Sequence, residues 1–186
     1  MNPGLPDKTR ILLHCCCAPC ASYVLECLMP QYDISILFYN PNIKPHAEYD
    51  KRKEALDKLL HEASLTSKVK LLECEYDNAA FDIVALSLRD EPEGGARCRA
   101  CFELRLTEVA WRAKAEGYAG FATTMSVSPH KNANLLNEIG SRLADKYGLE
   151  YLSSDFKKND GYRRSVELSK LYGLYRQDYC GCNITN

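Results

Sequence analysis

Six of the ten cysteines in this chain of 186 residues stand in close pairs: Cys16-Cys17, Cys98-Arg-Ala-Cys101 and Cys180-Gly-Cys182. The C-x-x-C spacing at a helix start turns both sulfurs toward one point, and the free backbone N–H groups there favour thiolate. In Cys180-Gly-Cys182 the glycine permits whatever backbone angle a converging pair of thiols requires. Cys20 follows the first pair closely enough to join it. A structural zinc or a [4Fe–4S] cluster takes four thiolates. The three groups supply six, or seven with Cys20, so the surplus implies a second metal or a redox thiol pair. Adjacent cysteines do not easily point at one metal atom, which suits two neighbouring centres. Taken together the groups favour iron–sulfur binding over zinc. Cys27 and Cys74 read as small buried hydrophobes, and Cys15 as core or a bystander.

Other residues could serve such a site. His14 closes the first apolar run and could hydrogen-bond a ligand sulfur or shuttle a proton; a structural histidine is the alternative. His46 and His61, on or near a highly charged helix, read as solvated. Ser128-Pro-His-Lys131 precedes a helix and could hold a phosphate through backbone N–H groups and Lys131, or simply cap the helix. Asp155–Arg164, with Lys157, Lys158, Arg163 and Arg164, and Leu174–Tyr179, with Arg176, interleave cations with aromatics, the residue types that contact phosphates and stack on bases. Glu93–Arg97 reads as a turn that presents Cys98, with Arg97 free to meet an anion.

These residues need a frame to gather them. Arg10–Leu13, Ile34–Tyr39, Val69–Cys74, Tyr118–Thr123 and Leu149–Leu152 read as strands. Ala21–Met29, Ala47–Ala63, Asp77–Leu88, Cys98–Glu116, Asn132–Tyr147 and Tyr162–Tyr172 read as helices, several stopped by glycine. The alternation predicts a single α/β domain over residues 1–186, a parallel sheet with helices on both faces. Ligands of such sheets bind beyond the carboxyl ends of the strands, so the loops Cys15–Cys20, Thr123–Lys131 and Ser153–Gly161 should share one rim.

Composition narrows the setting. The net charge is −1, but residues 1–96 carry 10 basic and 15 acidic side chains (−5) and residues 97–186 carry 14 and 10 (+4). The second half is where an anionic partner would bind. The N-terminus lacks a signal-like apolar stretch, and the apolar runs have strand length, too short for a bilayer. The expectation is a cytoplasmic chain whose thiols stay reduced.

With these motifs in order, His14-x-Cys-Cys-Ala-Pro-Cys20, Glu93-Gly-Gly-x-Arg-Cys-x-x-Cys101, Thr123-Thr124 with Ser128-Pro-x-Lys131, Asp155-Phe-Lys-Lys158 with Gly161-Tyr-x-Arg-Ser165, and Gly173-Leu-Tyr-Arg-Gln-x-Tyr-Cys-Gly-Cys182, the sequence resembles the cobalamin-independent epoxyqueuosine reductase family. The resemblance implies reduction of the epoxide of epoxyqueuosine to queuosine at the wobble base of tRNA. It implies a fold similar to the adenine-nucleotide α-hydrolase-like group, with cysteines where that group has its phosphate loop. It also implies a [4Fe–4S] cluster with an additional mononuclear iron, bound by Cys16, Cys17, Cys98, Cys101, Cys180 and Cys182, with Cys20 a seventh candidate. On this reading Cys16 and Cys17 are catalytic, His14, Tyr179 or water donates protons, and Ser128, Lys131, Lys157, Lys158, Arg163, Arg164 and Arg176 meet the tRNA. Electrons come from a flavodoxin- or ferredoxin-type donor, and no membrane is involved. An ATP-dependent sulfurtransferase or reductase on the same fold, and a zinc-stabilised RNA-binding module without catalysis, are the competing readings.

Overall fold

The computed structural model describes residues 8–182. Five parallel strands, β1 (Thr9–His14), β2 (Tyr32–Leu37), β3 (Lys70–Leu72), β4 (Gly120–Thr123) and β5 (Glu150–Tyr151), form one sheet in the order β3-β2-β1-β4-β5. Helices α1 (Ala18–Leu28), α2 (His46–Glu62), α3 (Ala79–Ala85), α4 (Ala96–Ala115), α5 (Ala133–Tyr147) and α6 (Gly161–Leu171) connect and follow them. Among the described residues no helix is long and apolar enough to cross a membrane.

The strand sequences are nearly continuous apolar runs because the sheet is buried on both faces. Ile11, Leu13, Ile34 and Ile36 point to one core with α1 and α2. Leu12, Leu37 and Phe121 point to the other, with Leu106 and Val109 of α4 and Leu136 and Ile139 of α5. The expected parallel α/β architecture is therefore present.

The boundaries differ in ways that matter for the cysteines. Helix α1 begins at Ala18, three residues before the expected Ala21, because Pro19 fits the first turn, where its missing N–H costs nothing. Cys17 becomes the residue that starts the helix, and Cys20 lies inside it. Strand β3 stops at Leu72, which leaves Cys74 beyond the ladder, and the expected helix Asp77–Leu88 is α3 followed by a 3₁₀ turn over Leu86–Leu88. Helix α4 starts at Ala96, so Cys98 and Cys101 both lie within it, one turn apart.

In the strand order, β1 and β4 are neighbours whose outgoing connections diverge to opposite sides of the sheet. That is the switch point at which a crevice opens beyond the strand ends. The Cys15–Cys17 loop and the Thr124–Val127 3₁₀ turn leave from these two ends.

Candidate metal centre

At this crevice a cavity of about 710 Å³ is lined by Cys16, Cys17, Cys20, Cys98, Cys180 and Cys182. Cys101 lies behind the wall, 6% exposed, against Phe81 and Ala85 of α3, with Cys182 packed on the same cluster. Three distant segments thus converge, and all ten cysteines are free thiols. Cys27 and Cys74, expected to be buried, are only partly so; Cys74 packs against the α4 side of the core, and Cys15 is fully buried.

The first group is tight. The sulfurs of Cys16, Cys17 and Cys20 all lie within 4.8 Å of one another, a spacing suited to a shared metal ion, so the adjacent Cys16 and Cys17 converge where the sequence pointed to separate centres. Cys17 and Cys20 are three apart at the start of α1 and so share a face. Thr124 fixes Cys16 from the neighbouring strand end: its hydroxyl oxygen accepts from the Cys16 N–H at 3.0 Å and lies 3.3 Å from Cys16 Sγ, to which it donates. Hydrogen bonds from Cys17 and Cys20 hold the Cys16 thiol well below its ordinary pKa against the cost of burial, with Lys131 and Arg105 assisting. The same bonds push Cys17 up to about 11 and raise Cys20 strongly. Cys16 is thus the sulfur of the three that the surroundings favour as thiolate.

In the second group Cys98 Sγ accepts the Gly94 N–H at 3.2 Å. The expected turn before α4 is there, but Arg97 is not free. It is 5% exposed and donates to the Arg89 carbonyl at 2.6 Å. A hydrogen bond from Cys182 brings the Cys180 thiol down to about 5 against its burial, with Lys131 and Arg105 adding to the effect.

Arg105 escaped the sequence reading. On α4 it is 2% exposed, its Nη1 stands 3.9 Å from Cys101 Sγ, and its Nη2 donates to Asn40 Oδ1 at 2.6 Å. Asn40 in turn donates to the Cys15 carbonyl at 2.9 Å. A buried guanidinium needs a counter-charge, and those within reach are the thiolates of both groups. Only its i, i+4 spacing from Cys101 could have signalled this role. Thr124 and Gln177 were also passed over as site residues. Gln177 lines the cavity, and its side-chain amide works to lower the Cys17 pKa.

The other expected residues divide. Ser128, Lys131, Arg176 and Tyr179 line the cavity. Lys131 stays a firm cation because the thiolates of Cys16 and Cys180 outweigh the effect of burial. Lys157 lines an adjoining open hollow with Lys131, His130 and Asp155, and pairs with Asp155 at 2.8 Å. Lys158, Arg163 and Arg164 line neither space. Arg163 pairs with Asp160 and Glu167, and Arg164 is forked onto Glu26 of α1, a tie between helices. His14 is a correction. It is fully buried, both nitrogens are engaged, by the Thr123 hydroxyl at 3.0 Å and the Tyr39 carbonyl at 3.1 Å, and burial followed by Arg105 lowers its pKa to about 3. It is a neutral structural histidine that pins β1 to its surroundings, with no bond to a ligand sulfur.

A parallel α/β sheet whose switch-point crevice is lined by reduced thiols and backed by buried cations defines a class of cysteine-liganded metal or redox proteins. Comparison with known proteins supplies the family. Residues 11–186 match the family model described as epoxyqueuosine reductase QueH. A Staphylococcus epidermidis protein named Epoxyqueuosine reductase QueH is 46% identical over 180 residues, 95% of this chain and 76% of that one. A protein of the same name from Thermotoga maritima is 37% identical over 172 residues, 92% of this chain and 88% of that one. One from Haemophilus influenzae is 35% identical over 181 residues, 96% and 72% respectively. The chain belongs to the QueH epoxyqueuosine reductase family, a family of oxidoreductases.

Proposed function

We propose that this protein reduces epoxyqueuosine to queuosine at the wobble position of tRNA, in the cytoplasm, with a [4Fe–4S] cluster and an additional iron held by the converging cysteines. The observation that carries the reading is the cavity itself: six thiols on its wall, a seventh directly behind, and two cations turned toward the sulfurs. The donor set fits the group. Reduced, closely spaced thiols supply soft ligands, their number exceeds one cluster, and Arg105 and Lys131 offset the negative charge that thiolate-bound iron accumulates.

Opening the epoxide to an alkene takes two electrons and two protons and releases the oxygen as water. When bound, the iron and cluster would supply single electrons and a Lewis acid for that oxygen. The chain's own residues do the rest. Tyr179, 45% exposed on the cavity wall with its hydroxyl shared with the Glu48 carboxylate, is the proton donor the chain offers, and with His14 committed elsewhere water is the other source. Arg176 with Tyr162, whose ring lies 5.6 Å from the guanidinium, makes a cationic and aromatic rim suited to a nucleotide. Lys131 and Lys157, beside the start of α5, suit a flanking phosphate. The electron donor is of the flavodoxin or ferredoxin type.

The test is anaerobic. Purified protein given epoxyqueuosine-containing tRNA, a low-potential reductant and no cobalamin should form queuosine, and it should contain more iron than sulfide. Cys98→Ala and Cys180→Ala should lower the iron, while Cys27→Ala and Cys74→Ala leave it intact. Full activity in metal-free protein, or zinc alone in protein that remains active, would contradict the reading.

A further inference from the structure

The segment that carries Cys180 and Cys182 follows the last helix with no regular secondary structure of its own. What holds it comes from α2, far away in sequence. Glu48 and Arg52, one helical turn apart, are 7% and 3% exposed, and Arg52 Nε donates to Glu48 Oε1 at 2.6 Å. The rest of the guanidinium fork points at the cysteine segment. Its Nη1 donates to the Cys180 carbonyl at 3.2 Å and its Nη2 to the Tyr179 carbonyl at 3.4 Å. Its Cζ lies 5.2 Å from the centroid of the Tyr179 ring. The Tyr175 hydroxyl sits 3.2 Å from both carboxylate oxygens of Glu48, which secures the start of the same segment. The Gly181 carbonyl accepts the Lys44 N–H at 2.8 Å, just before α2.

Gly181 itself reports how close the approach is. Its φ is +93°, and a Cβ there would come within 2.9 Å of Arg52 Nη2. The turn between the two cysteines thus lies directly on a buried ion pair whose guanidinium donates to the two carbonyls of the turn. A buried pair of charges is a poor source of net stability compared with apolar side chains of similar volume. Its directional donors, however, specify one position for the chain that crosses it.

We propose that Glu48 and Arg52 are a positioning pair that sets the Cys180-Gly-Cys182 turn against α2 and so fixes two of the sulfurs and Tyr179 in the cavity. Arg52 touches no sulfur and acts through the two carbonyls. That the fixed turn serves metal binding rests on the function proposed above; that the pair fixes the turn does not.

Removing both charges together separates this role from simple stabilisation. In Glu48→Leu/Arg52→Met neither charge is left buried alone, so the fold should persist with a melting temperature near that of the parent. Amide hydrogen exchange in metal-free protein then reads the turn. The Lys44 N–H and the amides of 179–182 should exchange about tenfold faster, while those of β1 and β4 remain unchanged. Arg52→Lys, which keeps the charge but loses the fork, should fall between. Unchanged exchange at Lys44 and 179–182 in the folded double variant overturns the proposal. So does an equal acceleration throughout the molecule, which would mark a general loss of stability. In protein reconstituted with iron, the double variant should lose iron to a chelator faster than the parent. If the exchange accelerates and iron retention does not change, the positioning role stands and the metal reading of this cysteine pair fails.

Discussion

Cys16, Cys17 and Cys20 come from five successive residues at the joint between a central strand and the helix that follows it, whereas Cys98, Cys101, Cys180 and Cys182 come from a helix start and a terminal turn that meet only in the folded chain. The first group inherits its geometry from local structure. The strand end and Pro19 in the first helical turn place its sulfurs, and the one distant contribution is the Thr124 hydroxyl, which fixes Cys16 from the neighbouring strand end. The second needs two separate segments to meet: the Gly94 backbone N–H supports Cys98 locally, while Arg52 of α2 holds the terminal turn from 128 positions away in sequence. One site thus combines a preformed half with an assembled half. Perturbations away from the sulfurs should strike the assembled half harder, except where one residue serves both.

Arg105 is that residue, and its loss should have the largest effect. Arg105→Met removes the cation that faces Cys101 and, through Asn40, supports the Cys15 carbonyl. The orphaned Asn40 oxygen costs about 1–3 kcal/mol, but loss of a buried, partly compensated charge returns some of that. Metal-free stability should therefore fall little, while iron bound after reconstitution falls about tenfold, since ~1.4 kcal/mol of lost charge compensation suffices. Iron analysis beside thermal melts checks this. Normal iron with a large drop in melting temperature would make Arg105 a fold residue and remove the link between the halves.

Thr124→Val should act on the preformed half alone. Valine keeps the shape but leaves the buried Cys16 N–H without its acceptor and the thiolate without a donor. Stability should fall by about 1–3 kcal/mol, and the Cys16 thiol should titrate upward. The Cys180 thiol should stay where it is. Thiol-specific titration of metal-free protein separates the two; a parallel rise of both would show that the groups are not independently built.

The sequence was most legible where chemistry and local structure coincide. Of the six cysteines that loop and helix-start signals singled out, five line one cavity together with Cys20, and Cys101 packs behind it; apolar runs alternating with amphipathic stretches specified a parallel sheet. His14 misled because its position beside the cysteines says nothing about which way an imidazole turns, and here the Thr123 hydroxyl and the Tyr39 carbonyl take both nitrogens. Arg163 and Arg164, expected to meet the tRNA, stand outside the cavity in ion pairs that a charge run does not reveal; α1 supplies Glu26 opposite Arg164. Arg105 and Arg52 were invisible for the converse reason. Each sits in a charged, ordinary-looking helix, and its role arises from carbonyls and sulfurs that only tertiary packing brings near.

The smallest effect concerns acid, and it sharpens the comparison because only the assembled half carries a carboxylate in its support. Burial alone would raise the pKa of Glu48, but the hydrogen bond and charge of Arg52, with the Tyr179 and Tyr175 hydroxyls, outweigh it and leave the pKa below its ordinary value. A carboxylate depressed on folding contributes stability above its unfolded pKa and loses it as pH falls through the folded one. The contribution of Glu48 is thus present at neutral pH and fades below about pH 4.5. Glu48→Gln still accepts from Arg52 but cannot titrate. The parent should therefore exceed the variant in stability at neutral pH, by less than about 2 kcal/mol, and the gap should close as acid is added. Amide exchange at Lys44 should follow the same course, rising with acid relative to β1 in the parent and less so in the variant. Denaturant melts from neutral pH to about pH 3.5 measure the gap. A difference that stays constant over that range would mean that Glu48 is not held ionised by Arg52, and the terminal turn would then need another explanation for its fixed place.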